Sequence, residues 1–163
     1  MEANQKDLIV RRVVAVDLRA TAELIVKSLA ERPGAPSAEA VRNAVQAALE
    51  DEQRVLCIGA YHENQPGFAH GKMVGVLMMN VLVSVEQAGQ VGWIETLFVR
   101  PDYRRRGLGA RMLGQTLDWA RARGLRSLDI EIHPHHEEAA AGALYEKHRF
   151  RELTLGRMRW LPA

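Results

Sequence analysis

A basic, glycine-bearing loop is the stretch of this chain best suited to chemistry. Residues Tyr103–Gly109 read Y-R-R-R-G-L-G and separate an apolar strand from an amphipathic helix. Glycine lets a backbone approach a ligand closely, and the first amides of a helix lack helical acceptors at the positive end of its dipole. Because Arg104, Arg105 and Arg106 lie beside these amides, the pattern predicts a phosphate or diphosphate site rather than a solvated basic turn.

This loop matches neither of two common nucleotide-binding motifs. Met112 stands where a dinucleotide fingerprint has its third glycine, and no Gly-Lys-Ser/Thr follows the loop as in a P-loop. The loop therefore predicts a phosphorylated ligand without naming it.

The strand before the loop, Val91–Val99, carries one carboxylate, Glu95. Period-two alternation divides the strand into two faces. One face holds Trp93, Glu95, Leu97 and Val99, and the other holds Gly92, Ile94, Thr96 and Phe98. Burial of an acid in a central strand is costly unless the acid is paired or useful, and it would raise the pKa toward that of a general base. We therefore expect Glu95 to be a buried general base, and the alternatives are an ion pair or an edge-facing residue.

Three other groups of reactive side chains have simpler interpretations. Tyr145 shares a helix face with Ala141, and by itself this indicates an ordinary half-buried tyrosine. Cys57 lies mid-strand and is interpreted as a buried small hydrophobe rather than a nucleophile. The histidines of H-P-H-H, residues 133–136, follow a strand, and no clear fourth ligand completes a metal site with them.

The elements that position these residues form a mixed α/β sheet, antiparallel strands first and then a parallel βαβ unit with a right-handed connection. We expect Asp17 and Ser37 to cap the first two helices, Gly75 to mark a bulge, and Gly124 to stop the third helix. The predicted strands are 8–14, 54–61, 72–85, 91–99, 127–133 and one or two within 151–161; the predicted helices are 17–30, one beginning after 37, 108–123 and 137–148.

Composition places the chain among ordinary globular proteins. Its 163 residues are 47% hydrophobic, which suits a single domain over residues 1–163. The formal net charge of +2 argues against a generic nucleic-acid binder. One cysteine, no signal-peptide pattern and no apolar run of about 18 residues predict a cytoplasmic protein that does not bind membranes.

Two stretches resemble the GNAT superfamily of N-acetyltransferases. They are I-E-T-L-F-V-R-P-D-Y-R-R-R-G-L-G-A-R-M-L and G-A-L-Y-E-K-H-R-F, and the resemblance is strongest over Val91–Phe150. Two positions depart from the family pattern. Glu138 stands where the family often has an asparagine that can contact the cofactor. Arg149 stands where it often has glycine, which predicts a different turn after the last helix.

The resemblance implies a GNAT-like fold with two splayed parallel strands, acetyl-CoA as cosubstrate and no metal. It implies that Glu95 acts as general base and Tyr145 as general acid. The implied strand contacts to pantetheine come from Leu97, Phe98 and Val99. The remaining implied cofactor contacts are Arg104, Arg105, Arg106, Gly107, Leu108, Gly109, Ala110 and Glu138.

Two other functions remain open from the sequence. The same fold allows a non-catalytic acyl-CoA-binding module, and the arginine cluster allows a nucleic-acid binder, although no aromatic stacking platform accompanies it. For the enzyme, we expect a small-molecule or peptide amine as acceptor, chosen by the first two helices and the 31–39 and 62–71 loops. The resemblance also allows a homodimer.

Overall fold

The computed structural model describes residues 5–30, 32–131, 138–154 and 157–162. Its strands are β1 (Leu8–Arg12), β2 (Val55–His62), β3 (Lys72–Ser84), β4 (Gly89–Val99), β5 (Leu128–Glu131), β6 (Arg151–Thr154) and β7 (Arg157–Trp160). Its α-helices are α1 (Leu18–Leu29), α2 (Ala38–Glu50), α3 (Leu108–Ala122) and α4 (Glu138–Lys147).

The strands of the described ranges form one sheet in the order β1-β2-β3-β4-β5-β7-β6. Neighbours from β1 to β4 pair antiparallel, β4 and β5 pair parallel, and β7 pairs antiparallel with both β5 and β6. The predicted mixed α/β class, with antiparallel strands followed by a parallel βαβ unit, is confirmed.

Apolar side chains cover both faces of this sheet. One core cluster joins the sheet to α3 and α4 and includes Leu77, Ile94, Leu108 and Tyr145. The other joins the sheet to α1 and α2 and includes Met78. Below, the two faces of the sheet are called the α3/α4 face and the α1/α2 face after the helices that cover them.

Two of the predicted helix signals are confirmed. Ser37 Oγ accepts a hydrogen bond from the amide of Ala40 at 3.2 Å, which caps α2. Gly124 has φ +66° just after α3, a left-handed conformation that glycine adopts at little cost.

The predicted capping role of Asp17 is wrong. Asp17 makes no capping bond to α1. Its buried carboxylate instead accepts from Arg11 at 2.7 and 3.2 Å, from Tyr61 Oη at 2.9 Å and from the amide of Val14 at 3.1 Å. These partners on β1, on β2 and just after β1 hold the carboxylate, because an acid buried this deeply needs its charge neutralised.

Two bulges interrupt the alternation of the central strands. In β3 the register with β2 shifts from Gly75 to Met73, so Val74 is the extra residue and the bulge lies one residue before Gly75, where it was predicted. In β4 the register with β3 shifts from Thr96 to Ile94, so Glu95 is the extra residue.

The bulge at Glu95 corrects the predicted faces of β4. Uninterrupted alternation placed Ile94 opposite Leu97 and Val99, but all three pack into the core on the α3/α4 face. An inserted residue shifts the period by one, so side chains before and after it exchange faces.

None of the helices within the described ranges is long and apolar enough to cross a membrane. The single-domain boundaries and the cytoplasmic location stay predictions.

Candidate functional site

The described pairing between the parallel strands β4 and β5 ends partway along β4. Their pairs are Gly92 with Leu128, Trp93 with Asp129 and Ile94 with Ile130. Beyond Ile94, β4 continues to Val99, and in the described part of the chain nothing pairs with it on the β5 side. The edge of β4 beyond Ile94 that lacks a described partner on its β5 side is called the fork below, and it is where splayed strands would part.

Backbone groups of β4 point into the fork at alternate residues. The amide of Arg100 donates to the carbonyl of Val74 on β3 at 2.9 Å. A trans peptide points its C=O opposite to its N–H, so the carbonyl of Val99 faces the fork. Alternation directs Leu97 into the fork as well and turns the backbone of Phe98 toward β3, where Val76 is its partner.

The helix behind the loop starts without a side-chain cap. Gly107 is the N-cap of α3 with φ +75°, and no side chain caps the helix. The amide of Arg111 makes a helical bond to the carbonyl of Gly107 at 3.0 Å. The amides of Leu108, Gly109 and Ala110 precede that bond and therefore lack helical acceptors. Three adjacent amides at the positive end of a helix suit an anion.

The arginines of the loop have different environments. Arg104 Nε donates to the carbonyl of Val99 at 2.9 Å, which places this side chain at the mouth of the fork. Arg106 Nη2 donates to the carbonyl of Asp102 at 3.2 Å. Arg105 is exposed with φ +59°, a strained conformation for a residue other than glycine. The loop therefore combines cations and helix amides within one turn of chain.

Two residues that the sequence analysis missed support this loop. Tyr103 is buried, and its hydroxyl lies 2.9 Å from Nδ1 of His62 at the end of β2. Arg106 covers the Tyr103 ring at 5.4 Å. Tyr103 belongs to the motif stretch, so its position could have been noticed, whereas no local signal links it to His62, 41 residues away in the chain.

Tyr145 lies on α4, in the same core cluster as Leu108 at the start of α3. Its side chain is buried, not half-buried as its helix pattern alone indicated, and its ring packs against Phe150 at 5.7 Å. Burial raises the pKa of the Tyr145 hydroxyl well above its ordinary value, so this group stays protonated at neutral pH.

The two helices also meet at Gly109 and Leu144. A Cβ built at Gly109 would lie 3.3 Å from Leu144 Cδ2, so a small residue lets α4 approach the loop. The turn after α4 corrects one expectation. Arg149 adopts φ +66°, and the amide of Phe150 donates to the carbonyl of Tyr145 at 3.0 Å. This left-handed turn is the kind that glycine favours, so the predicted change of turn is wrong.

Glu95 is exposed, which contradicts the predicted burial. The bulge removes it from the ladder, and its Oε2 accepts a hydrogen bond from Nδ2 of Asn80 at 2.9 Å. A second exposed carboxylate, Glu131, was missed by sequence reasoning. Glu95 and Glu131 each follow the last paired residues of the parallel ladder, Ile94 and Ile130, so the fork opens between two acids.

The remaining candidates contribute little to the described site. The side chain of Glu138 and the residues His133, His135 and His136 lie outside the described part of the chain. Within the described part, no group of three His, Cys, Asp or Glu side chains could hold a metal ion. Burial raises the pKa of the Cys57 thiol to about 12, in keeping with a structural role.

A cavity of about 600 Å³ lies elsewhere, between β1 and the 63–71 loop. Its walls include Arg11, Val14, Glu63, Phe68 and His70, and none of the residues predicted to bind cofactor or to act in catalysis line it. The cavity and the fork are therefore different features of the surface.

Comparisons with known proteins agree with this geometry. A sequence model described as the acetyltransferase (GNAT) family matches residues 22–150. The ribosomal protein bS18 alanine N-acetyltransferase of Escherichia coli K12 is 43% identical over 65 residues, 38% of this chain. That match spans 43% of the relative, so the chain spans less than half the length of the curated relatives it matches.

Two solved structures share the fold. Arabidopsis thaliana NAA60 in complex with acetyl-CoA has a TM-score of 0.72 and 17% identity, over 94% of this chain and 98% of that one. The aminoglycoside acetyltransferase meta-AAC0020, from an uncultured soil sample and in complex with sisomicin, has a TM-score of 0.67 and 20% identity, over 91% of this chain and 93% of that one.

Proposed function

This chain belongs to the GNAT family of acetyltransferases, and we propose that it transfers an acetyl group from acetyl-CoA to a primary amine. The fork supports the proposal: the described pairing of β4 with β5 ends at Ile94, and β4 continues through the basic loop to the uncapped start of α3. A long, thin ligand with a diphosphate at one end suits a gap between strands that ends at helix amides.

The residues around the fork suit acetyl-CoA in their chemistry. The amides of Leu108, Gly109 and Ala110 would hold the diphosphate, and Arg104, Arg105 and Arg106 would balance its charge. Leu97 and Val99 would pair with the pantetheine amides as an added strand does. When bound, acetyl-CoA supplies an activated thioester to the acceptor.

Glu95 is the proposed general base. A primary amine with a pKa near 10 is mostly protonated at neutral pH, and only its free base attacks a thioester. Glu95 takes the proton, directly or through a water, and the amine nitrogen then forms the new C–N bond. A backbone amide of β4 near Val99 donates to the carbonyl oxygen as negative charge develops on it.

Tyr145 is the proposed general acid. As the C–S bond breaks, the sulfur leaves with an electron pair and takes a proton from the Tyr145 hydroxyl, which burial keeps protonated. The new amide nitrogen then loses its second proton, which returns through solvent to the Tyr145 oxygen and leaves a neutral amide. No covalent bond between enzyme and acetyl group is needed, which agrees with the buried, neutral Cys57.

Binding and turnover are the direct test. Acetyl-CoA should raise the melting temperature by mass action, and an amine panel should then release free CoA thiol. The panel takes its first members from amines named for similar proteins, a peptide with N-terminal alanine and an aminoglycoside, and adds a polyamine. Binding without thiol release for any amine would favour the acyl-CoA-binding module instead.

Paired carboxylate variants test the base. We expect Glu95→Gln to lower kcat by roughly 100-fold with little change in KM for acetyl-CoA, and to move the pH optimum upward, because the acceptor must then lose its proton to solvent. Glu50→Gln at the exposed end of α2 is the control. If Glu131→Gln greatly lowers kcat while Glu95→Gln does not, the base lies on β5 and the role of Glu95 is contradicted.

A further inference from the structure

The bulge in β4 gives Glu95 a special position in the sheet. Met78 pairs with Thr96 and Met79 pairs with Ile94, so Glu95 has no partner residue across the ladder. A bulged residue is free of the regular cross-strand spacing and can aim its side chain differently. A flexible, exposed carboxylate in such a place needs another contact to fix its direction.

Asn80 provides that contact. It lies in β3 opposite Trp93, one residue beyond the end of the bulge. Its Nδ2 lies 2.9 Å from Glu95 Oε2. An ionised carboxylate only accepts hydrogen bonds, so the amide nitrogen of Asn80 must be the donor. Hydrogen bonds to ionised groups are among the stronger ones in proteins.

The face of the sheet on which this contact lies follows from the alternation of β3. Met78 packs on the α1/α2 face. The extra residue of the nearby bulge lies in β4, and β3 pairs with β2 without a shift from Met78 to Asn80, so Asn80 shares this face. Asn80 therefore holds the Glu95 carboxylate over the face opposite to α3 and Tyr145. Base and acid then flank the fork from opposite faces of the sheet.

We infer that Asn80 is a positioning residue for the transfer reaction, an inference that rests on the proposed function. By occupying Oε2, Asn80 leaves Oε1 of Glu95 to receive the proton of the acceptor amine. It also fixes one orientation of a side chain that the bulge would otherwise leave mobile. Reactions of this kind are sensitive to small misplacements of the catalytic group.

A double-mutant cycle tests this role. We expect Asn80→Ala to lower kcat by roughly tenfold, the size of one hydrogen bond to a charged group, while KM for acetyl-CoA stays the same. Asn80→Asp keeps the shape but replaces the donor with a repelling carboxylate, so its loss should be larger. In a Glu95→Gln background, Asn80→Ala should lower kcat no further.

The control is Ser84→Ala, at the hairpin end of the same strand, which should leave kcat unchanged. Wild-type kcat in both Asn80 variants, or losses that multiply with that of Glu95→Gln, would overturn the positioning role. If Glu95→Gln itself retains wild-type kcat, the proposed base fails, and the role of Asn80 fails with it. Melting temperatures of all variants separate these outcomes from a loss of folding.

Discussion

Tyr145 and Tyr61 are two buried tyrosines on opposite faces of the same sheet. The Tyr61 hydroxyl donates to Asp17 at 2.9 Å and therefore contributes to folding. Within the described residues, the Tyr145 hydroxyl has no recorded hydrogen-bond partner, although its ring packs against Phe150. A hydroxyl that donates to no protein acceptor is available to donate to a ligand.

This contrast gives a matched prediction. We expect Tyr145→Phe to lower kcat by roughly 100-fold, because it removes one proton donor and almost no volume, while the melting temperature and the KM for acetyl-CoA stay the same. Tyr61→Phe should lower the melting temperature, because it removes the hydrogen bond to Asp17, and should leave kcat unchanged. Steady-state kinetics and thermal unfolding of both variants make the comparison, and wild-type kcat in Tyr145→Phe would remove Tyr145 from the mechanism.

Two glycines near the start of α3, one in the loop before it and one inside the helix, have different roles. Gly107 has φ +75°, and a Cβ there would meet nothing within 4 Å, so its requirement is conformational and not steric. Gly114 lies inside α3, also in open space, with no positive φ. Comparing the two positions distinguishes the need for a left-handed conformation at Gly107 from the general cost of glycine inside a helix at Gly114.

We therefore expect opposite results from two alanine variants. Gly107→Ala should lower the free energy of unfolding by about 1 kcal/mol, the cost of a left-handed conformation with a Cβ, and should weaken acetyl-CoA binding because the first amides of α3 turn away. Gly114→Ala should raise the free energy of unfolding by about 1 kcal/mol and leave binding unchanged. Urea unfolding and calorimetric titration check both; equal affinities would show that the loop conformation does not determine binding.

The helix α3 with its loop and the strand β4 show what the sequence could and could not predict. The basic loop, its helix and the glycine stop at Gly124 are local patterns, so they were predicted correctly. The bulge at Glu95 adds one residue to a strand without changing its composition, so alternation alone assigned Ile94 to the wrong face. Asp17 was assigned to capping because its partner Tyr61 lies 44 residues away, outside any local pattern.

At the scale of the whole molecule, Asp17 joins elements that are distant in sequence. Burial by itself would raise the pKa of Asp17, but hydrogen bonds from Arg11, the amide of Val14 and Tyr61 together hold that pKa below its ordinary value. A carboxyl whose pKa is lowered by folding stabilises the folded state above its unfolded pKa of about 4. That contribution is lost as the pH falls through the folded pKa.

Removing the charge should reproduce this loss at neutral pH. We expect Asp17→Asn to lower the free energy of unfolding by about 2 kcal/mol at pH 7, since the Arg11 guanidinium loses its charged acceptor. The difference from wild type should stay constant from pH 7 to about pH 5 and shrink below about pH 4. Urea unfolding across this range measures it, and a difference that grows in acid would contradict the sign of the shift.

The whole account depends on the fork that β4 and β5 form beside the start of α3. A crystal structure with coenzyme A tests it most directly. We predict pantetheine between β4 and β5, with diphosphate oxygens about 3 Å from the amides of Leu108, Gly109 and Ala110. Coenzyme A bound elsewhere, for example in the cavity beside β1, or a fork that stays empty at saturating ligand, would contradict it.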